Sequence, residues 1–193
     1  NNEVKEECFK VWIKGAVTVV KKLIFLCGPN GVGKSSTGRE LISHIENSAF
    51  VDSDLCALRN PFIITEGIDI GQQFMLFMLT KYLQSSLYDT IIWSFGFHGH
   101  RKDNFTEIMK KLRELNMDFD FIPIILTCDL DENIKRMKCD NRDEARIDRA
   151  INNTRLLYND YPFPTINTTK LTLKETVYEI KRLIEDTQNI SDE

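Results

Sequence analysis

Gly28-Pro29-Asn30-Gly31-Val32-Gly33-Lys34-Ser35 fits the pattern G-x-x-x-x-G-K-[ST]. The apolar run Leu23-Ile24-Phe25-Leu26-Cys27 leads into it, and a helix-compatible segment from Ser35 to Glu46 follows. Strand, glycine-rich loop and helix N-terminus form the context in which this pattern becomes a phosphate-binding (Walker A) loop. Glycines let the backbone curl until successive N–H groups point at phosphate oxygens. The helix that follows adds unpaired N–H groups and the positive end of its dipole. On this reading Gly28, Asn30, Gly31, Val32, Gly33, Lys34, Ser35 and Ser36 surround a nucleoside triphosphate. Lys34 reaches the β- and γ-phosphates, and the Ser35 hydroxyl ligates Mg²⁺. At average composition the bare pattern arises by chance in roughly one chain in a hundred of this size. The expected ligands are therefore ATP and Mg²⁺.

Working outward, 193 residues with 42% hydrophobic content suit one domain with a sizeable core. A net charge of −4 argues against general nucleic-acid binding, which needs a basic face. The five cysteines (Cys8, Cys27, Cys56, Cys128, Cys139) are odd in number and form no C-x-x-C pair. Buried reduced thiols are expected, hence a reducing compartment. Lys14, Lys21 and Lys22 interrupt the long apolar region near the N-terminus, so neither a spanning helix nor a signal peptide is read there. A cytoplasmic protein that does not engage membranes is the expectation. Residues 1–20 are read as an extension, in which Phe9-Lys10-Val11-Trp12-Ile13 alternates like a strand; residues 21–188 are read as the domain.

From Leu23 onward strand-like and helix-like segments alternate. Ala49–Val51 is a second strand ending in Asp52-Ser53-Asp54, and residues 72–87 carry a Met- and Phe-rich block read as core. Ile91–Trp93 makes a third strand, and Asp103 is placed as the cap of a helix with Phe105, Ile108, Met109, Leu112 and Leu115 on one face. Phe121–Leu126 is a fourth strand, in which Pro123 marks an edge or bulge. Pro164–Asn167 is a fifth. Asp129-x-x-Glu132 and Thr172-x-x-Glu175 both have capping-box spacing. This alternation predicts an α/β fold, a parallel sheet with helices on both faces, and a ligand site at the C-terminal strand ends. The glycine-rich loop, Asp52/Asp54, the turn at His98–Arg101 and Cys128-Asp129 all fall on that rim.

Two carboxylates one residue apart in an extended segment point the same way. At a phosphate site one of Asp52 and Asp54 holds Mg²⁺ through water, and the other takes a proton from an attacking hydroxyl. The alternative for the pair is a helix cap or solvated turn. A basic segment, Arg136-Met-Lys138-Cys-Asp-Asn-Arg142-Asp-Glu-Ala-Arg146-Ile-Asp-Arg149, has few apolar groups and reads as a mobile lid over about 136–149. Its guanidinium groups suit a transferring phosphoryl group; the alternative is a solvated helix whose acids neutralise its arginines. His98, Arg101 and Arg59 are candidates for gripping an acceptor. The alternatives are a metal pair at His98 and His100, a plain turn, or, for Arg59, a surface residue.

These features resemble the P-loop nucleoside monophosphate kinase superfamily, and within it shikimate and gluconate kinases, the chloramphenicol phosphotransferase group and uncharacterised bacterial relatives. The resemblance spans roughly residues 21–186. It implies a three-layer P-loop NTPase with a five-stranded parallel sheet of order 2-3-1-4-5, and transfer from ATP-Mg to a small acceptor. It also implies that Asp54 or Asp52 acts on the acceptor hydroxyl, that Arg142 and Arg146 contact ATP phosphates, and that Thr168 to Lys170 lie by adenine. The third strand, Thr90-Ile-Ile-Trp-Ser94, lacks a terminal aspartate, so Mg²⁺ must lean on Ser35 and Asp52. The expectation is a small-molecule or nucleotide kinase. Its rival is an ATP-binding NTPase or regulator; a GTPase is disfavoured because no N-K-x-D occurs.

Overall fold

The computed structural model describes residues 20–58, 70–96 and 101–191, with side chains up to 186. Arg59, His98 and nearly all of the N-terminal extension lie outside the described residues. Five parallel strands form one sheet of order β2-β3-β1-β4-β5: β1 Lys21–Cys27, β2 Ser48–Asp52, β3 Thr90–Ser94, β4 Phe119–Thr127 and β5 Thr165–Asn167. The helices among the described residues are α1 Lys34–Leu41, α2 Ser53–Cys56, α3 Ile70–Gln84, α4 Arg101–Glu114, α5 Leu130–Cys139, α6 Glu144–Thr154 and α7 Leu173–Ser191.

β1 is the central strand, buried on both faces from Leu23 to Cys27, which is why it reads as an unbroken apolar run. Leu23, Phe25 and Cys27 face a cluster with Met75 and Leu79 of α3 and Ile108 and Leu112 of α4. Ile24 and Leu26 face the other way, against Leu41 of α1 and Val177, Ile180 and Ile184 of α7. Each of those last three side chains contributes about 1.5–3 kcal/mol on full burial. Phe25, Trp93 and Phe105 pack as an aromatic group with centroids 4.9–5.6 Å apart, and the Trp93 indole N–H is directed at Met75 Sδ, 3.1 Å away. This side of the sheet is thereby fixed directly beneath the rim. Pro123 lies on the stretch of β4 that β5 does not reach, since β5 pairs only with Ile125–Thr127. The missing N–H therefore costs the ladder nothing.

Several local expectations are corrected. The first helix stops at Leu41 rather than Glu46, and residues beyond it form tight turns. Asp103 lies in the first turn of α4 instead of capping it, and Leu115 is exposed past its end. Thr172 and Glu175 do close a capping box, with the Thr172 N–H donating to Glu175 (2.7 Å) and the Glu175 N–H to Thr172 Oγ1 (3.3 Å). Hydrogen bonding from the Thr172 N–H, and then from its hydroxyl, holds the Glu175 carboxyl below its usual range. Asp129 and Glu132 form no such box, because Asp129 accepts from Asn167 and Glu132 is taken by Arg136. The α3 block is core on one side only: Met75, Leu79 and Leu83 are buried, whereas Phe74 and Phe77 are more than half exposed.

Candidate active site

The loop after β1 wraps the N-terminus of α1. Gly33 stands at its N-cap position with φ +101° and open space where a Cβ would project. No side chain caps this end and no acid occupies its first turn, which leaves it to an anion. Gly31 (φ +82°) is needed for a reason the motif does not state. A Cβ there would sit 2.4 Å from Met137 Cγ and 2.8 Å from Asn133 Nδ2, so the loop lies directly against α5.

Lys34 Nζ donates to the carbonyls of Gly28 (3.0 Å) and Pro29 (2.8 Å), folded back over its own loop. Burial pulls its pKa down from 10.5 to about 8; Asp54 and Cys27 pull it up, and Arg101 and Arg142 push it further down. Beneath it Cys27 is buried, its thiol pushed up to about 12 by desolvation. It is a core thiol, not a nucleophile. Cys128 is likewise buried, and Cys27, Cys56, Cys128 and Cys139 are all unbridged.

A cleft of about 340 Å³ opens over this loop, lined by Asn30, Gly31, Gly33, Lys34, Ser35 and Ser36 from below, Asp54 from one side and Arg136, Cys139 and Arg142 from the other. Here the paired-carboxylate reading needs correction. The chain turns into α2 at Ser53, so Asp52 and Asp54 do not project together. Asp52 caps that helix, its Oδ1 accepting from the Asp54 N–H at 2.9 Å. Its other oxygen is buried with no hydrogen-bond partner, 3.8 Å from the Arg39 guanidinium. Asp54 alone of the two lines the cleft; its Oδ1 is 3.5 Å from Arg101, whose guanidinium rests over the Phe95 ring. The two carboxylates thus have separate surroundings.

Arg136 is spent on architecture. Its guanidinium donates to Glu132 (2.9 Å), the Val32 carbonyl (3.2 Å), Thr168 Oγ1 (2.8 Å) and the Thr168 carbonyl (2.8 Å). The paired arginine holds the Glu132 carboxyl below its usual range. Arg136 and Thr168 together line a smaller cavity of about 220 Å³ beside the cleft, while Lys170 is exposed and lines neither. Residues 136–139 end α5, and α6 is a packed helix whose Ile147 and Ala150 join Met137 in a small apolar cluster. Asp143 caps it, accepting from the Arg146 N–H at 2.8 Å. Arg142 borders the cleft, bonded to Asp140 at 3.1 Å; Arg146 lines an adjoining cavity instead.

Asn133 and Thr154, which sequence reading missed, and Arg155, which follows the basic segment, brace the loop. Asn133 donates to the Asn30 carbonyl (2.9 Å), the Asn30 N–H is directed at Thr154 Oγ1 (3.4 Å), and Arg155 bonds the Cys128 carbonyl (2.9 Å) and reaches Asn133 Oδ1 (3.5 Å). Among the described residues no group of three His, Cys, Asp or Glu could hold a metal, and no helix is long and apolar enough to cross a membrane.

No family model and no curated protein matches this sequence. Solved structures do. The chain superposes on the tunicamycin resistance protein of Deinococcus radiodurans with 17% identity and a TM-score of 0.60, over 85% of this chain and 95% of that one. For a gluconokinase from Sinorhizobium meliloti the values are 14% and 0.57, over 88% and 97%. For the shikimate kinase of Acinetobacter baumannii in complex with shikimate they are 19% and 0.57, over 88% and 96%. The fold is that of the P-loop small-molecule kinases.

Proposed function

We propose that this chain is a kinase that transfers the γ-phosphoryl group of ATP-Mg to a hydroxyl or phosphate of a small acceptor. The observation that carries the reading is one cleft lined at once by Lys34 and Ser35 of the phosphate loop, by Asp54 and by Arg142. A plain nucleotide switch needs no base for an acceptor hydroxyl, the role open to Asp54 here.

The triphosphate lies on the loop N–H groups, and Lys34 leaves its two carbonyls for the β- and γ-oxygens. Arg136, held flat by its four hydrogen bonds, offers a guanidinium face to the adenine, with Thr168 as the wall beside it. Ser35 would ligate an Mg²⁺ ion, and Asp52, whose second oxygen makes no hydrogen bond but lies 3.8 Å from Arg39, would act on it through water. Such an ion would supply charge neutralisation at the β- and γ-phosphates. With a hydroxyl acceptor, Asp54 receives its proton as the acceptor oxygen bonds to the γ-phosphorus and the bond to the β–γ bridging oxygen breaks, releasing ADP. Arg101 orients Asp54 for this, and Arg142 meets the charge spread over the transferring oxygens. Arg59 and His98 remain candidates for the acceptor wall.

The test is ATP turnover with and without a panel of nucleosides, nucleotides, sugars and aminoglycoside-like alcohols. Acceptor-dependent ADP release with a phosphorylated product supports the kinase. Slow hydrolysis that no acceptor stimulates makes the protein an ATP-binding regulator.

A further inference from the structure

The buried residues of α4, from the rim of the sheet downward, are Asn104, Ile108, Met109 and Leu112. The last three join the core cluster that holds Phe25 and Trp93. Asn104 alone among them is polar, and it stands at the end nearest the cleft. Arg101, one turn before it, is 3.5 Å from Asp54 and rests over the Phe95 ring. Phe95 is buried, and its N–H donates to the Leu26 carbonyl (3.1 Å), two residues before the phosphate loop begins. Phe105, next along the chain, stacks on Trp93 with centroids 5.6 Å apart. Asn104 is thus held between the aromatic core and the Asp54–Arg101 pair.

Asn104 is 9% exposed, and its side-chain nitrogen is buried with no hydrogen-bond partner among the described residues. A buried donor left unmade destabilises a protein by the desolvation cost of the group. A leucine of similar shape would extend the stripe of Ile108 and Leu112 without that cost. Packing of the protein alone therefore gives no reason for an amide at this position. A bound acceptor gives one. Asp54 and Arg101 serve the hydroxyl that reacts, so the amide one turn deeper is left for a different oxygen.

We propose that Asn104 donates to a second hydroxyl of the acceptor, and so selects polyhydroxylated acceptors over simple alcohols. The inference rests on the kinase reading above. A neutral amide suits an uncharged hydroxyl, and an acceptor lacking that hydroxyl leaves the buried donor unpaired in the complex.

The test compares melting and steady-state kinetics of the full chain for wild type and Asn104→Leu. Its probes are the acceptor-panel member turned over fastest and the monodeoxy analogues of that compound. The leucine variant should melt at or above the wild-type temperature. It should raise the acceptor KM at least tenfold, as loss of a buried substrate hydrogen bond does, while the KM for ATP holds. Removing one particular hydroxyl from the acceptor should cost the wild type the same factor and the variant almost nothing. Asn104→Ser keeps a shorter donor and should recover part of the loss. If leucine proves too bulky to fold, Asn104→Ala carries the kinetic comparison. A folded leucine variant that melts well below wild type would reveal a structural bond to Asn104 and overturn the proposal. So would an acceptor KM that the substitution leaves unchanged. Either result leaves the kinase intact. A panel in which no acceptor is turned over removes the kinase reading and this inference with it.

Discussion

The side-chain amide of Asn133 donates to the main-chain carbonyl of Asn30 at 2.9 Å, tying the crown of the phosphate loop to the middle of α5. Asn133 is only 1% exposed, and Arg155, just past the end of α6, approaches its oxygen. Replacing it by Ala leaves the part-buried Asn30 carbonyl without this donor and costs about 1 kcal/mol of stability. It also frees the loop. Thermal melting should fall, and ATP affinity should drop by about tenfold at a temperature where the variant is still folded. Unchanged affinity in a destabilised variant would make the contact merely structural.

Lys34→Ala should weaken ATP-Mg by at least about a hundredfold, given that hydrogen bonds to charged groups are worth about 1.5–3 kcal/mol each. The fold should survive. The lysine pKa is depressed in the folded state, so its charged form costs stability below about pH 8, and that cost fades between about 8 and 10.5. Calorimetry showing wild-type ATP affinity in the folded variant would sink the phosphate-loop assignment.

ATP binding should take up protons above about pH 8. In the free protein burial holds Lys34 near 8, and a triphosphate beside it favours the ammonium. At pH 8.5 the observed binding heat should therefore change with buffer ionisation enthalpy, and affinity should decline as pH rises further. At pH 6.5 the lysine is already charged, and it contributes no such dependence. Equal heats in all buffers at pH 8.5 would contradict the coupling.

Asp54→Asn should slow phosphoryl transfer to a hydroxyl by a factor on the order of 10² to 10⁴ with little change in ATP affinity. Asp52→Asn keeps an oxygen to cap α2, so it should leave the fold in place and raise the Mg²⁺ concentration needed for half-maximal rate. Swapped phenotypes in a magnesium titration would reverse the two roles.

Arg142→Ala should lower turnover by roughly 10² to 10³, the usual effect of losing one donor to a developing oxyanion, and should lower ATP affinity less. Arg142→Lys should recover only part of it, lacking the planar fork. Single-turnover rates beside ATP titrations give the comparison.

The central unit was legible because its signals are local. The run Leu23–Cys27, the loop and α1 are contiguous, and one strand buried on both faces has a plain apolar signature. The sheet order came from the same motif through the family resemblance. What escaped reading depends on residues far apart in the chain. Asn30 meets Asn133 across more than a hundred positions, and a lone Asn within a helix carries no mark of it. The Glu132–Arg136 pair, at i,i+4 spacing, could have been found, and would have shown Arg136 to be partly committed before any nucleotide arrives. Asp52 and Asp54 were misjudged together because a helix begins between them, and the spacing alone permits either geometry. The arginine segment reads as loose on composition, and the contact of Ile147 and Ala150 with Met137 is visible only in the fold.

That seat has a consequence of its own. Met137, Ile147 and Ala150 form a cluster distinct from the two that sandwich the sheet. Three buried and two half-buried apolar side chains are a smaller fastening than either sheet face, so α6 is expected to open at lower cost than the sheet. On warming, the arm that carries the arginines should let go while the sheet still holds. Inactivation would then precede global melting, and a protease would find its first cut at the α5–α6 turn in a molecule that is otherwise native.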